Sequence, residues 1–150
     1  MSDIIARLTA AMNSHDLDAM VALFHAEYDS RQPAHPARAF VGRAQVRANW
    51  EAMFAGVPDL RAELIRSVQD GETTWCEWAW SGTRGDAQPF EVRGVALFRV
   101  HDDLIIGATL YLEDVETEPI GIEQAVEGLS GSLPAPLEAN MEDLGPEQEK

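Results

Sequence analysis

Cysteine occurs once in this chain, at Cys76, so no intramolecular disulfide can form and a cysteine-based zinc site is excluded. A chain that makes no disulfide fits a reducing compartment, and a cytoplasmic location is expected. Lysine occurs only at Lys150, the arginines are scattered instead of clustered, and the net charge is −15. Such a surface repels phosphate backbones, which excludes nucleic acid as a partner. Long apolar runs are missing too, since none approaches the roughly 20 residues that a membrane-spanning helix needs. The opening stretch MSDIIARLTAAMNSHD carries Asp3 and no continuous apolar block, so it does not read as a secretory signal. Histidine is sparse: His15, His25, His35 and His101 lie far apart, with no pair at ligand spacing backed by a third ligand, and no metal is expected. Glycine-rich phosphate loops and a nucleophile elbow are also absent, and no cofactor is expected.

What remains is a chain of 150 residues with 45% hydrophobic content, enough for one domain that buries roughly 68 to 70% of its unfolded surface. Residues 113–150 hold eleven acids and one base, so most of the negative charge sits in the tail. Prolines 119, 134, 136 and 146 add to the character of an extension rather than core. Domain limits of 1–114 for the body and 115–150 for the extension follow. Within the extension, Ile120, Ile122, Val126 and Leu129 recur at near-helical spacing, the pattern of one short amphipathic helix.

In the body, Ile4, Ile5, Leu8, Ala11 and Met12 mark a first helix over 3–13, with Ser2 as its cap. NSHD at 13–16 breaks that helix, and Leu17, Met20, Val21, Leu23 and Phe24 form the stripe of a short second one. EYDSRQP alternates like a short strand, and Pro33 and Pro36 make an irregular loop. After Gly42 a third helix turns Val46, Ala48, Trp50, Met53 and Phe54 inward and Arg43, Arg47 and Glu51 outward; Gly56 and Pro58 end it. From Asp59 the period changes toward two. RAELIRSVQ, ETTWCEWAWSG, FEVRGVALFRVH and LIIGATLYLED are four strands joined by hairpin-length connections. Three helices ahead of an antiparallel meander predict an α+β domain in which the helices cover a strongly curved, cone-shaped sheet around an internal pocket. Gly82, Gly94 and Gly107 stand where the strands can bend.

Two stretches, NSHDLDAMVALFHAEYD and GTRGDAQPFEVRGVALFRVHDDLI, carry a resemblance to the nuclear transport factor 2-like superfamily, in particular its SnoaL-like, polyketide cyclase-like branch. The likeness spans about residues 3–114 and implies the cone-shaped roll. It does not imply one activity, because the superfamily holds isomerases, cyclases, hydrolases and non-catalytic domains. A gapless reading places Leu8, Gln32 and Ala96 where ketosteroid isomerases of this superfamily have a tyrosine, a base and a second acid. An alkyl group and a methyl donate no hydrogen bond, and an amide takes no proton at neutral pH, so that reaction is excluded. Leu110 stands where the epoxide hydrolases carry an aspartate, and Gly94, Val95 and Ala96 follow Arg93 where an acid is needed. The cyclases use an inward acid on a late strand; here Glu113 and Asp114 lie only at a strand's end, where solvated acids are the rule.

Strand alternation puts Trp78 and Trp80 on one face and Glu77 on the other, and hydrophobicity turns the tryptophans inward. The pocket is therefore read as having Tyr28, Ser30 and Gln32 as polar handles and Trp50, Trp78, Trp80, Phe98 and Leu110 as walls, suited to a small apolar or aromatic molecule. Cys76 reads as a packed thiol, and His35 as an exposed loop histidine. The outward row Val95, Leu97 and Arg99, with Tyr111 beside it, is apolar for an exposed sheet, and the resemblance implies a homodimer through it. Two classes stay open: a non-catalytic domain binding a small molecule, and a SnoaL-like cyclase, isomerase or hydrolase acting on a small hydrophobic metabolite.

Overall fold

The structure, a computed structural model, describes residues 3–131. These fall into two compact units that divide between Val115 and Glu116. The first begins with helices α1 (Ile4–Ser14) and α2 (Leu17–Val21), followed by strand β1 (Phe24–Arg31). A 3-10 turn at Pro36–Arg38 leads to the short strand β2 (Phe40–Val41) and helix α3 (Arg43–Gly56). Four long strands complete it: β3 (Arg61–Asp70), β4 (Thr73–Thr83), β5 (Pro89–His101) and β6 (Leu104–Asp114). The second unit contains helix α4 (Ile122–Ser130), an amphipathic turn sequence at the spacing read from the extension. Among the described residues, no helix is long and apolar enough to cross a membrane.

The six strands form one sheet in the order β2-β1-β6-β5-β4-β3. The hairpins β3-β4, β4-β5 and β5-β6 are antiparallel, as alternation and short turns predict. Register slips between Leu64 and Arg66 and between Arg99 and Val100 are bulges that add local twist, and the sheet curves without closing. Its concave face buries Cys76, Trp78, Ala96, Phe98 and Ala108 against Ile4, Leu8 and Met12 of α1 and Met20 of α2. Each large side chain so buried contributes roughly 1.5 to 3 kcal/mol.

Five details differ from the sequence reading. Phe24 starts β1 instead of extending the second helix, because α2 ends at Val21 and the chain is already pairing with β6 at Ile105. β1 runs parallel to β6, so the sheet is mixed rather than wholly antiparallel. The return from β1 to its neighbour passes through α3 and four strands, β2 to β5, the long crossover that a parallel pair requires. β2, two residues long, adds an edge strand too short to show any period. On α3 only Val46 is fully buried, and Ala48 faces solvent. Ser2 lies outside the described residues; the N-cap of α1 is Asp3, which makes no side-chain capping bond.

The corner between α1 and α2 shows what the NSHDLD motif does. Asn13 pairs with edge strand β3 through both ends of its amide: Nδ2 donates to the Ala62 carbonyl at 2.9 Å, and the Ala62 N–H donates to Oδ1 at 2.7 Å. His15 takes a left-handed conformation, stacks on Phe54 with ring centroids 4.5 Å apart, and its Nε2 lies 2.9 Å from the Leu60 carbonyl. Asp16 caps α2 by accepting from the Ala19 N–H, and Asp18 pairs with Arg47 at 2.9 Å. The motif is architectural: it pins the helix layer to the sheet edge and to α3.

Candidate functional site

Cross-strand register builds the concave face in rows. Trp80 of β4 faces Val92 of β5, which faces Asp114 of β6. The next rows are Trp78, Gly94, Leu112 and then Cys76, Ala96, Leu110. The row Thr74, Phe98, Ala108 continues onto Ser30 of β1, and Ser30 is followed by Phe40 of β2. Over these rows Leu8 and Met12 of α1, Met20 of α2 and Val46, Trp50 and Met53 of α3 form a roof. Between roof and sheet lies a cavity of about 310 Å³. All eight residues read from the sequence as ligand contacts (Tyr28, Ser30, Gln32, Trp50, Trp78, Trp80, Phe98 and Leu110) line it.

Period two explains why they meet: Tyr28, Ser30 and Gln32 alternate with Asp29 and Arg31, which pair with each other on the other side. Glu77 likewise points away and is paired to Arg66 at 3.2 Å. The aromatic walls touch edge to face, Trp50 with Trp80 at 5.4 Å and 73°, and Trp78 with Trp80 at 6.2 Å and 62°. The indole N–H groups of Trp78 and Trp80 are buried with no hydrogen-bond acceptor among the described residues.

The polar groups fall into an inner and an outer set. Inside, the Tyr28 hydroxyl has Ser30, which is 1% exposed, as a neighbour; burial raises the phenol's pKa, against the opposing effects of the Ser30 hydroxyl and of the Arg99 charge. Burial also pushes the Cys76 thiol up to about 12, which leaves it an inert packing group at neutral pH. At the mouth, the Arg38 guanidinium donates to Gln32 Oε1 at 3.2 Å, and Asn49 of α3 adds an amide. Glu113 and Asp114 both line the cavity, and His35 reaches from its loop to Glu113, with Nε2 2.9 Å from Oε2.

These mouth residues are the part that sequence reasoning missed. Glu113 and Asp114 read as acids at a solvated strand end, and both are indeed exposed, yet they also form cavity wall. The signal was present for Asp114: Leu110, Leu112 and Asp114 continue one inward alternation. No sequence signal joins His35 to Glu113, which are 78 positions apart, or Arg38 to Gln32 across a 3-10 turn. Of the positions decisive for the known chemistries, Leu8, Gln32 and Leu110 line the cavity and Ala96 is fully buried beside Leu110. These four positions therefore carry alkyl, amide and methyl groups, with Gln32 toward the mouth, where the cavity's carboxylates Glu113 and Asp114 also are.

A helix-roofed, curved mixed sheet enclosing an apolar cavity defines a cone-shaped α+β protein of the nuclear transport factor 2-like fold. Within that class the chain belongs to the SnoaL-like domain family, whose model matches residues 5–108. Solved structures share the fold. IdmH from Streptomyces antibioticus, for which a polyketide cyclase role has been proposed, has a TM-score of 0.64 at 24% identity over 74% of this chain and 90% of its own. A loop-truncated variant of IdmH is 25% identical, with a TM-score of 0.64 over 74% of this chain and 91% of its own. A Catenulispora acidiphila protein with a ketosteroid isomerase-like fold, solved in complex with trimethylamine, has a TM-score of 0.63 at 19% identity, covering 87% of this chain and 93% of its own. No protein with a curated description matches.

Proposed function

We propose that the chain is a small-molecule binding domain that holds an apolar or aromatic ligand between its helices and sheet. The observation that carries this reading is the cavity of about 310 Å³, which lies at the lower end of the usual range of ligand sites, roughly 300 to 1,000 Å³, and has mostly apolar walls. Tyr28, Ser30 and Gln32 supply its orienting groups, and Trp50, Trp78, Trp80, Phe98 and Leu110 its surface. The bicyclic ketone 2-tetralone is a suitable probe. Saturable quenching of tryptophan fluorescence in the native chain, lost in a Leu110→Trp variant that fills the cavity, is the expected result. A native chain that neither quenches nor gives saturation-transfer NMR signals with this probe would remove the reading.

A second reading is favoured by one feature, the His35–Glu113 pair with Asp114 beside it at the cavity mouth. An imidazole held by a carboxylate is a general acid/base arrangement, and the Glu113 member of the pair lines the cavity. On this reading the chain is a SnoaL-like enzyme of cyclase, isomerase or hydrolase type. In D2O it should speed exchange of the α-protons of 2-tetralone, and Glu113→Gln should return the rate to that of buffer. Exchange no faster with the native chain than without it sinks the catalytic version alone.

The same proposal makes the chain a cytoplasmic homodimer, with residues 1–114 as the binding domain and 115–150 as an acidic extension. Support for the dimer comes from the convex face. There Val68, Trp75 and Leu97 form one cross-strand row and Val95 and Tyr111 part of the next, with Arg99 alongside. Trp75 and Tyr111 are each 48% exposed, an unusual amount of aromatic surface for a lone sheet. Sedimentation should give a dimer that Leu97→Arg converts to monomer; a monomeric native chain refutes the interface.

A further inference from the structure

We propose that the ligand's apolar body carries an ammonium group, a tertiary or quaternary amine seated at the indole end of the cavity. This rests on the binding reading above and specifies its chemistry. Trp50 and Trp80 meet at 73° and 5.4 Å and are only half-buried, so together they present a two-sided aromatic corner among the lining residues. The faces of indoles are the best aromatic partners for a cation. Asp114 is in the same inward row as Trp80, with Val92 between them, and its carboxylate has no hydrogen bond or ion pair among the described residues.

Charge around the mouth favours the same ligand. The cavity wall contains two carboxylates, Glu113 and Asp114, and one cation, Arg38, which is already bonded to Gln32. Glu113 is engaged by His35, which leaves Asp114 as the charge without a partner. A neutral ligand that covers the mouth strips water from that carboxylate and returns nothing, whereas an ammonium replaces the lost hydration with an opposite charge. The chain's net charge of −15 draws cations toward it in the same sense.

Benzyltrimethylammonium and 2,2-dimethylpropylbenzene test this directly, because they share one shape and differ by a charged nitrogen in place of a carbon. Titration into the native chain, followed by tryptophan fluorescence and calorimetry, should show the cation binding at least about tenfold more tightly. That advantage should shrink severalfold in Asp114→Asn, an exposed position whose change leaves the core untouched, and should fall as salt is raised. Equal binding of the two, or tighter binding of the hydrocarbon, overturns the ammonium proposal and leaves the cavity reading standing. An advantage unchanged in Asp114→Asn overturns the role of that carboxylate. Failure of both probes to bind counts against the cavity reading itself.

Discussion

Gly94→Ala is expected to cost about 3 to 5 kcal/mol and to lower the melting temperature by roughly 10 °C. Two independent causes add. Gly94 has φ of +151°, a conformation that a side chain disfavours. A Cβ at this position would fall on the Tyr111 carbonyl oxygen and the Leu112 Cα of the neighbouring strand. These are backbone atoms held by the β5-β6 ladder, so no rotamer change makes room. Gly94 pairs with Trp78 and Leu112, both of which line the cavity, so the substitution should loosen the cavity wall as well as the fold. Thermal denaturation by circular dichroism checks the prediction, and a melting temperature within about 2 °C of the parent would show that the strand bends without needing glycine. Gly107→Ala is the contrast. Its Cβ would meet the guanidinium of Arg99, the free end of a long side chain that can swing aside, so a much smaller loss should follow.

Trp78→Ala is expected to lose about 3 to 5 kcal/mol, whereas Trp78→Phe should lose no more than about 1.5 kcal/mol. Trp78 is 1% exposed and heads the fully buried side chains by size. Truncation to alanine removes its contacts and enlarges a cavity already present beside it. Phenylalanine keeps most of the ring volume and deletes the indole N–H, a buried donor without an acceptor. Removing an unsatisfied donor recovers part of its desolvation penalty, which runs to about 1 to 3 kcal/mol for a buried polar group, and this offsets the lost ring. Urea denaturation of both variants measures the difference. Equal losses for Ala and Phe would mean that the N–H is satisfied in the folded chain, for example by the face of a neighbouring ring.

The orphaned indole donors have a further consequence for the site. A cavity wall made of large aromatic groups is obtained at the cost of two unpaired N–H groups, because tryptophan brings a polar edge wherever it brings a broad apolar face. Tyr28, by contrast, has the Ser30 hydroxyl as a neighbour, two residues along the same strand face. The charged groups at the mouth, Glu113, Asp114 and Arg38, remain exposed to water.

The sequence by itself determined the layers, the four long strands and the inward side of β4, β5 and β6. Alternation along 61–69, 72–82, 90–101 and 104–114 matches β3 to β6 within about two residues, because period-two burial and turn residues are local properties of the chain. The same local logic brought Tyr28, Ser30, Gln32, Trp78, Trp80, Phe98 and Leu110 to one cavity, since side chains two apart on a strand share a face. Only the tertiary structure decided that β1 inserts parallel to β6, that two residues at 40–41 form an edge strand, and that Ala48 faces water while Trp50 roofs the cavity. It alone brought His35 to Glu113 and Arg38 to Gln32. These depend on a crossover and on the curvature of the sheet, which sum contacts over the whole chain. No window of neighbouring residues contains them.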